Sequence, residues 1–112
     1  MLSDDFYKAL EERFRGSKEI IKARQSVYLP VVEALYAKVG KRALDVGCGR
    51  GEWLELLTER GVPVQGIDLN EEFVDAGRKA GFSVQNADAM QFLAAQPDNT
   101  YGLVSAFHVV EH

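Results

Sequence analysis

The hydrophobic residues among the first forty positions recur every three to four residues, a spacing that is typical of amphipathic helices. The pattern predicts three helices between residues 4 and 39, separated near Gly16 and Pro30 and closed by Gly40. The apolar positions of the first helix are Phe6, Leu10 and Phe14, and those expected to be buried in the second are Ile20, Ala23 and Val27.

Beyond residue 42 the pattern changes to short apolar runs that alternate with amphipathic segments. The runs predict strands at 43–46, 62–69, 82–85 and 101–107, and the segments between them predict helices at 52–60, 71–80 and 90–95. Strands that alternate with helices favour a parallel sheet with right-handed crossovers. The expected fold class is therefore α/β, with an N-terminal helical leader at 1–42 and a Rossmann-like domain at 43–112.

Composition limits the classes of function that the chain can have. Its 112 residues suffice for one domain, and no apolar run reaches the ~18 residues that span a bilayer. Residues 43–112 carry four Lys and Arg against eleven acidic residues, which argues against general nucleic-acid binding. The single cysteine, Cys48, cannot form an intramolecular disulfide, and the first residues lack the pattern of a signal peptide, so we expect a cytoplasmic protein.

Polar residues and glycines follow each predicted strand, at the edge where parallel sheets bind ligands. Glycine lets the backbone turn sharply and approach a ligand closely. An acid two residues before the first glycine suggests a ligand with a positive group as well as a nucleoside, and S-adenosylmethionine (SAM) has both. In chain order the residues are Asp45 with Gly47, Cys48, Gly49 and Gly51; Asp68 with Leu69; Asp88 with Ala89; and Phe107 with His108.

Each carboxylate has a predicted task in binding SAM. Asp68 is at the position from which a carboxylate accepts hydrogen bonds from both ribose hydroxyls. Asp88 can accept from the adenine amine, although an acid there also fits a helix N-cap. The Ala89 amide, at a helix start, can bond an adenine ring nitrogen. Asp45 can pair, directly or through water, with the α-amino group.

As a set, these segments resemble the N-terminal half of class I SAM-dependent methyltransferases. Residues 44–51 match the family's glycine motif, 66–68 its ribose motif, 87–89 its adenine motif and 101–108 its fourth strand. Leader segments at 12–17, 21–24 and 28–30 are similar to bacterial methyltransferase domains associated with surface polysaccharide synthesis. The resemblance implies strand order 3-2-1-4, as part of a seven-stranded fold ordered 3-2-1-4-5-7-6.

The resemblance also implies methyl transfer to an acceptor, a small molecule or a saccharide, which the sequence does not identify. Phe107 and His108 would lie nearest the transferring methyl, and His108 is the candidate base because the unperturbed pKa of histidine is about 6.5. Arg13, Arg15 or Arg24 could pair with the SAM carboxylate. Since the chain stops after strand four, we expect a truncated form of doubtful activity that hides the edge of this strand by forming a homo-oligomer.

Three alternatives stay open at this point. A nicotinamide-binding Rossmann domain would have a glycine where this chain has Glu52 and usually an apolar residue in place of Asp45. Residues 108–112 fit the H-x-x-E-H signature of certain zinc peptidases, and Glu111 with His112 could hold a divalent metal, although no metal ligand is assigned. A non-catalytic nucleotide-binding or interaction module is the third.

Overall fold

Residues 18–107 are described by a computed structural model, and they form a four-stranded parallel sheet in the order β3-β2-β1-β4. The predicted fold class and strand order are confirmed. The apolar runs at 62–69 and 101–107 are longer than the strands they contain, because Val62 and Phe107 pack into the core from loop positions. The strands are β1 (Ala43–Val46), β2 (Val64–Asp68), β3 (Ser83–Asn86) and β4 (Leu103–Ser105).

Helices connect the strands and precede the sheet. The predicted end of the third helix at Gly40 is confirmed: this residue is left-handed, with φ of 71°, and its N–H donates to the Tyr36 carbonyl at 2.7 Å. The predicted helix around Phe6, Leu10 and Phe14 lies outside the described residues. The described elements are α1 (Lys18–Gln25), a 3-10 turn (Ser26–Tyr28), α2 (Leu29–Val39), α3 (Glu52–Glu59), α4 (Glu71–Lys79) and α5 (Ala89–Ala95).

The second predicted helix, which the structure divides into α1 and the 3-10 turn, does not bury the predicted face. Ile20 and Val27 are 55% and 69% exposed, and Ala23 is exposed as well. The prediction was wrong because the leader has two candidate faces, of which the outer is the more apolar. The inner face contains polar Gln25, which is buried, and continues into buried Leu29 of α2.

Charged contacts explain how a partly polar face packs inward. Lys18 Nζ lies 2.6 Å from Glu55 Oε2, and Lys22 Nζ lies 3.3 Å from Glu55 Oε1 and 3.2 Å from Glu59 Oε1. The hydrogen bond from Lys18, assisted by that from Lys22, holds the pKa of Glu55 below its usual value. Burial opposes the charge of Lys22, but the bonds to Glu59 and Glu55 outweigh it and raise the Lys22 pKa. Ion pairs thus fix α1 on α3.

The core lies on both faces of β1, whose four residues are all buried. On one face, Leu29 and Val32 of α2 pack with Trp53 and Leu57 of α3, so the end of the leader shares this part of the core. The opposite face is closed by α5 through Phe92. The division into a leader at 1–42 and a domain at 43–112 stays a prediction. Between residues 18 and 107, no helix has the length and apolar character required to cross a membrane.

Candidate cofactor-binding site

The turn after β1 is a glycine loop that lies against the end of β2. Gly47, Gly49 and Gly51 have φ angles of 67°, 56° and 84°, a region that residues with a Cβ rarely adopt. The amides of Gly47 and Cys48 both donate to the Ile67 carbonyl, at 2.8 and 3.1 Å. The loop therefore leaves β1 by crossing toward β2, where the next predicted carboxylate is located.

Asp68 joins this glycine loop to the end of β2. Its Oδ2 accepts from the Gly49 amide at 2.9 Å, and its Oδ1 accepts from the Asn70 amide at 2.8 Å. Two of the predicted binding points are thus in direct contact. The two backbone bonds hold the carboxylate plane at the carboxyl edge of the sheet, where further lone pairs of the same oxygens can accept from a ligand.

Asp45 is fully buried and is bonded to the next strand of the sheet. Its Oδ1 accepts from the Ser105 hydroxyl of β4 at 2.9 Å. The two residues are register partners, so their side chains lie on the same face of neighbouring strands. Sequence reasoning missed Ser105, because a serine at the end of an apolar run carries no signal until the register of β1 and β4 is known.

The pKa of the Cys48 thiol reflects its burial and the negative charges around the glycine loop. Its side chain is buried, and this burial raises the pKa of the thiol to about 12, with further contributions from the charges of Asp45, Asp68 and Glu52. A thiol of this kind is protonated at neutral pH and is a poor nucleophile.

A glycine is required at Gly66 of β2, beside the Cys48 side chain. A Cβ at this position would lie 2.8 Å from the Cys48 sulfur and 3.1 Å from Cδ1 of Leu54. Any side chain here would push the glycine loop away from β2. The small residue in the predicted ribose motif therefore has a packing reason.

The third predicted point, Asp88, is the N-cap of α5. Its Oδ2 accepts from the Gln91 amide at 3.0 Å, while the Ala87 amide donates to the Asp68 carbonyl at 3.3 Å. The cap and a ligand contact are compatible, because a carboxylate has more lone pairs than one cap uses. Leu69, which follows Asp68, and Met90, which follows Ala89, are 67% and 77% exposed. They offer apolar surface for a flat ring.

At the end of β4 the structure describes Phe107 but not His108. The Phe107 ring packs on Trp53, with 4.9 Å between centroids, and on Tyr28 of the leader at 5.7 Å. Its predicted place nearest the methyl group stays a prediction, as does the role of exposed Arg24.

Several predicted residues fall outside the part of the chain that the structure describes. Among residues 18–107, no cluster of three His, Cys, Asp or Glu side chains could hold a metal ion. The residues beyond this range are Arg13, Arg15, His108, Glu111 and His112.

Comparison with known proteins assigns the chain to a family. A family model described as a methyltransferase domain matches residues 20–112. The chain belongs to this methyltransferase family. Within the family, it is 36% identical over 91 residues to a ubiquinone biosynthesis O-methyltransferase from Burkholderia orbicola, which is 77% of this chain and 39% of the relative. A protein of the same name from Xanthomonas oryzae is 33% identical over an alignment of 116 positions, which covers 96% of this chain and 48% of the relative.

Solved structures of methyltransferases agree. A SAM dependent methyltransferase from Archaeoglobus fulgidus superposes with a TM-score of 0.78 and 42% identity, over 96% of this chain and 46% of the other. The bifunctional kinase-methyltransferase WbdD matches with a TM-score of 0.65 at 20% identity, over 73% of this chain and 21% of the other, and shares the fold. This methyltransferase chain spans about two fifths to one half of the length of the curated relatives described above.

Proposed function

We propose that this chain binds SAM at the carboxyl edge of its sheet and serves in methyl transfer to a small-molecule or saccharide acceptor. Membership of the methyltransferase family supports the reaction class. The Archaeoglobus fulgidus protein, at 42% identity, is itself described as SAM dependent. The resemblance covers the sheet and the loops that would hold the cofactor.

The glycine loop held against the end of β2 is the observation that carries the proposal. The amides of Gly47 and Cys48 donate to the Ile67 carbonyl, and the Gly49 amide donates to Asp68 Oδ2 at 2.9 Å. The loop backbone and the Asp68 carboxylate thus lie side by side at the edge where parallel sheets bind ligands. Glu52 stands where a nicotinamide-binding domain would have a glycine, which favours SAM over a dinucleotide.

Five side chains and a loop would divide the cofactor among them. Asp68 would accept from the ribose hydroxyls and Asp45 from the α-amino group, while the backbone of Gly47, Gly49 and Gly51 passes close to the ligand. Asp88 and the Ala89 amide would bond the adenine edge. Leu69 and Met90, both exposed, would cover its faces.

SAM supplies a methyl group on a good leaving group, so the work of the chain is chiefly alignment. Holding the two reactants in line is worth roughly 7–11 kcal/mol in favourable cases. His108, after β4, is proposed to take the proton of a hydroxyl or acidic acceptor as the new bond to carbon forms. The nature of the accepting atom depends on the acceptor.

Three further features belong to the proposal. We place the protein in the cytoplasm, on the sequence features given above. We also infer self-association through the edge of β4, whose Val104 is 49% exposed. The likeness of the leader to polysaccharide-associated methyltransferases makes a saccharide one of the acceptors to try.

Calorimetry with this chain tests the cofactor directly. We expect heat of binding at a ratio of one to one with SAM and with S-adenosylhomocysteine, and none with NAD. Binding of NAD without binding of either sulfur compound would overturn the proposal in favour of a nicotinamide-binding domain.

Turnover needs a second experiment, because the chain spans less than half of its curated relatives. Formation of S-adenosylhomocysteine from SAM would be followed with hydroxylated small molecules and sugars as acceptors. This chain and a version extended beyond His112 would be compared. Cofactor binding by both with turnover by the extended version alone would assign the acceptor site to the added residues; turnover by neither would favour a non-catalytic binding module.

A further inference from the structure

The pair formed by Asp45 and Ser105 connects two strand ends that would hold different parts of the ligand. Asp45 follows the first half of β1 and stands beside the glycine loop, whereas Ser105 is the last residue of β4, two positions before Phe107. The Ser105 hydroxyl lies 2.9 Å from Asp45 Oδ1 and 3.4 Å from the Leu44 carbonyl. With one proton to donate, the hydroxyl favours the nearer and charged acceptor.

This bond determines how the carboxylate of Asp45 can be used. The side chain is fully buried, so the orientation of its plane is set by the groups around it. A hydrogen bond to Oδ1 from a strand that is itself paired to β1 restrains that plane relative to the sheet. The direction in which the carboxylate would meet an ammonium group, directly or through water, is thereby restrained as well.

We propose that Ser105 is a positioning residue for the amino-acid part of SAM, and that it acts through Asp45. The inference rests on the proposed function and adds a residue to it. The site then has two halves, one for the nucleoside and one for the amino-acid part of SAM. The nucleoside half is held by the ends of β2 and β3 and does not depend on Ser105, whereas recognition of the α-amino group does.

Two ligands distinguish the halves. S-adenosylhomocysteine has the α-amino group, and 5′-methylthioadenosine has the same nucleoside and thioether without it. For Ser105→Ala we expect about tenfold weaker binding of S-adenosylhomocysteine, the size of one lost hydrogen bond to a charged group, and unchanged binding of 5′-methylthioadenosine. Ser105→Thr keeps the hydroxyl and should restore the affinity.

Val104→Ala is the matched control, because Val104 is the adjacent residue of β4 and points to the opposite face of the sheet. It should leave both affinities unchanged. If Ser105→Ala does not fold, Ser105→Cys replaces it, since a thiol is a weak donor of similar position.

The outcomes separate the two proposals. Equal weakening of both ligands, or no weakening of either, would overturn the positioning role while leaving the cofactor site intact. Failure of the unmodified chain to bind either ligand would overturn the proposed function, and the role of Ser105 with it.

Discussion

At the scale of single residues, Asp68 connects two parts of the site. It accepts two backbone hydrogen bonds, from Gly49 and Asn70, and so ties the glycine loop to the start of α4. Hydrogen bonds to a charged acceptor contribute more than neutral ones. The same carboxylate that is proposed to bind ribose therefore also holds its own surroundings in place.

Asp68→Asn should weaken both functions. An amide nitrogen cannot accept, so one backbone bond is lost along with the negative charge that is proposed to face the ribose. We expect binding of S-adenosylhomocysteine to weaken by at least about tenfold, and the free energy of unfolding to fall by about 1–3 kcal/mol. Calorimetry and urea denaturation measure the two effects. Asp75→Asn makes the same change of charge on an exposed position of α4, and equal effects from both variants would refute the assignment.

The raised pKa of Cys48 predicts that the free energy of unfolding falls at alkaline pH. Its native pKa of about 12 lies above the ordinary value of 9.0, so the thiol contributes its full stabilisation below pH 9. Between pH 9 and 12 the unfolded chain loses the proton and the native chain keeps it. Stability should therefore fall as pH rises, by up to about 1.4 kcal/mol per pH unit.

Cys48→Ala isolates this contribution from that of the lysines and tyrosines that titrate in the same range. The free energy of unfolding of the two proteins would be measured from pH 8 to 11. The difference between them should shrink as pH rises and be constant below pH 9. A constant difference throughout would show that the native thiol titrates normally.

At the scale of elements, the connection from β2 to α4 combines two devices. Asp68 ends the strand, and Asn70 caps the helix by accepting from the amides of Glu72 at 2.9 Å and Phe73 at 3.3 Å. Acidic Glu71 and Glu72 in the first turn complement the positive end of the helix dipole. The short connection thus leaves little conformational freedom to the Asp68 carboxylate, which is proposed to bind the ribose.

Asn70→Ala should destabilise α4 by about 1 kcal/mol through loss of this cap. Asn70→Ser retains a capping oxygen and should cost much less. The free energy of unfolding in urea measures both variants. If alanine and serine are equivalent, the cap does not contribute to stability.

At the scale of the whole molecule, β4 forms one edge of the described sheet. It pairs with β1 on one side, and within the described residues no strand pairs with it on the other. An edge strand of this kind is a template for pairing with another chain.

A charge on this edge should oppose association. We expect Val104→Lys to shift the chain toward the monomer in sedimentation velocity experiments, since edge lysines block strand pairing. Val27→Lys makes the same change on the exposed outer face of the leader, where Val27 is 69% exposed. If Val27→Lys dissociates the oligomer and Val104→Lys does not, the interface lies on the leader. If the unsubstituted chain is already a monomer, the proposed self-association is wrong.

The sheet could be predicted from the sequence because short apolar runs alternate with amphipathic helices, and this local pattern repeats along the chain. The ends of β1, β2 and β3 each carry a glycine or a carboxylate, and the parallel arrangement brings these ends to one edge, so Asp68 and Gly49 could be expected to meet. Ser105 could not be predicted, since its contact with Asp45 depends on a register between residues far apart in the chain. The inner face of α1 was missed because ion pairs of Lys18 and Lys22, and not apolar residues, attach it to α3.

The central position of β1 has a consequence for the order of folding. β1 pairs with β2 across a single helix, but its partner β4 lies almost three times as far along the chain. Since the entropic cost of closing a loop grows with its length, the unit of β1, α3 and β2 should assemble before β4 docks. The nucleoside half of the site would then form early in folding, and the contact that orients Asp45 would be made in the last step.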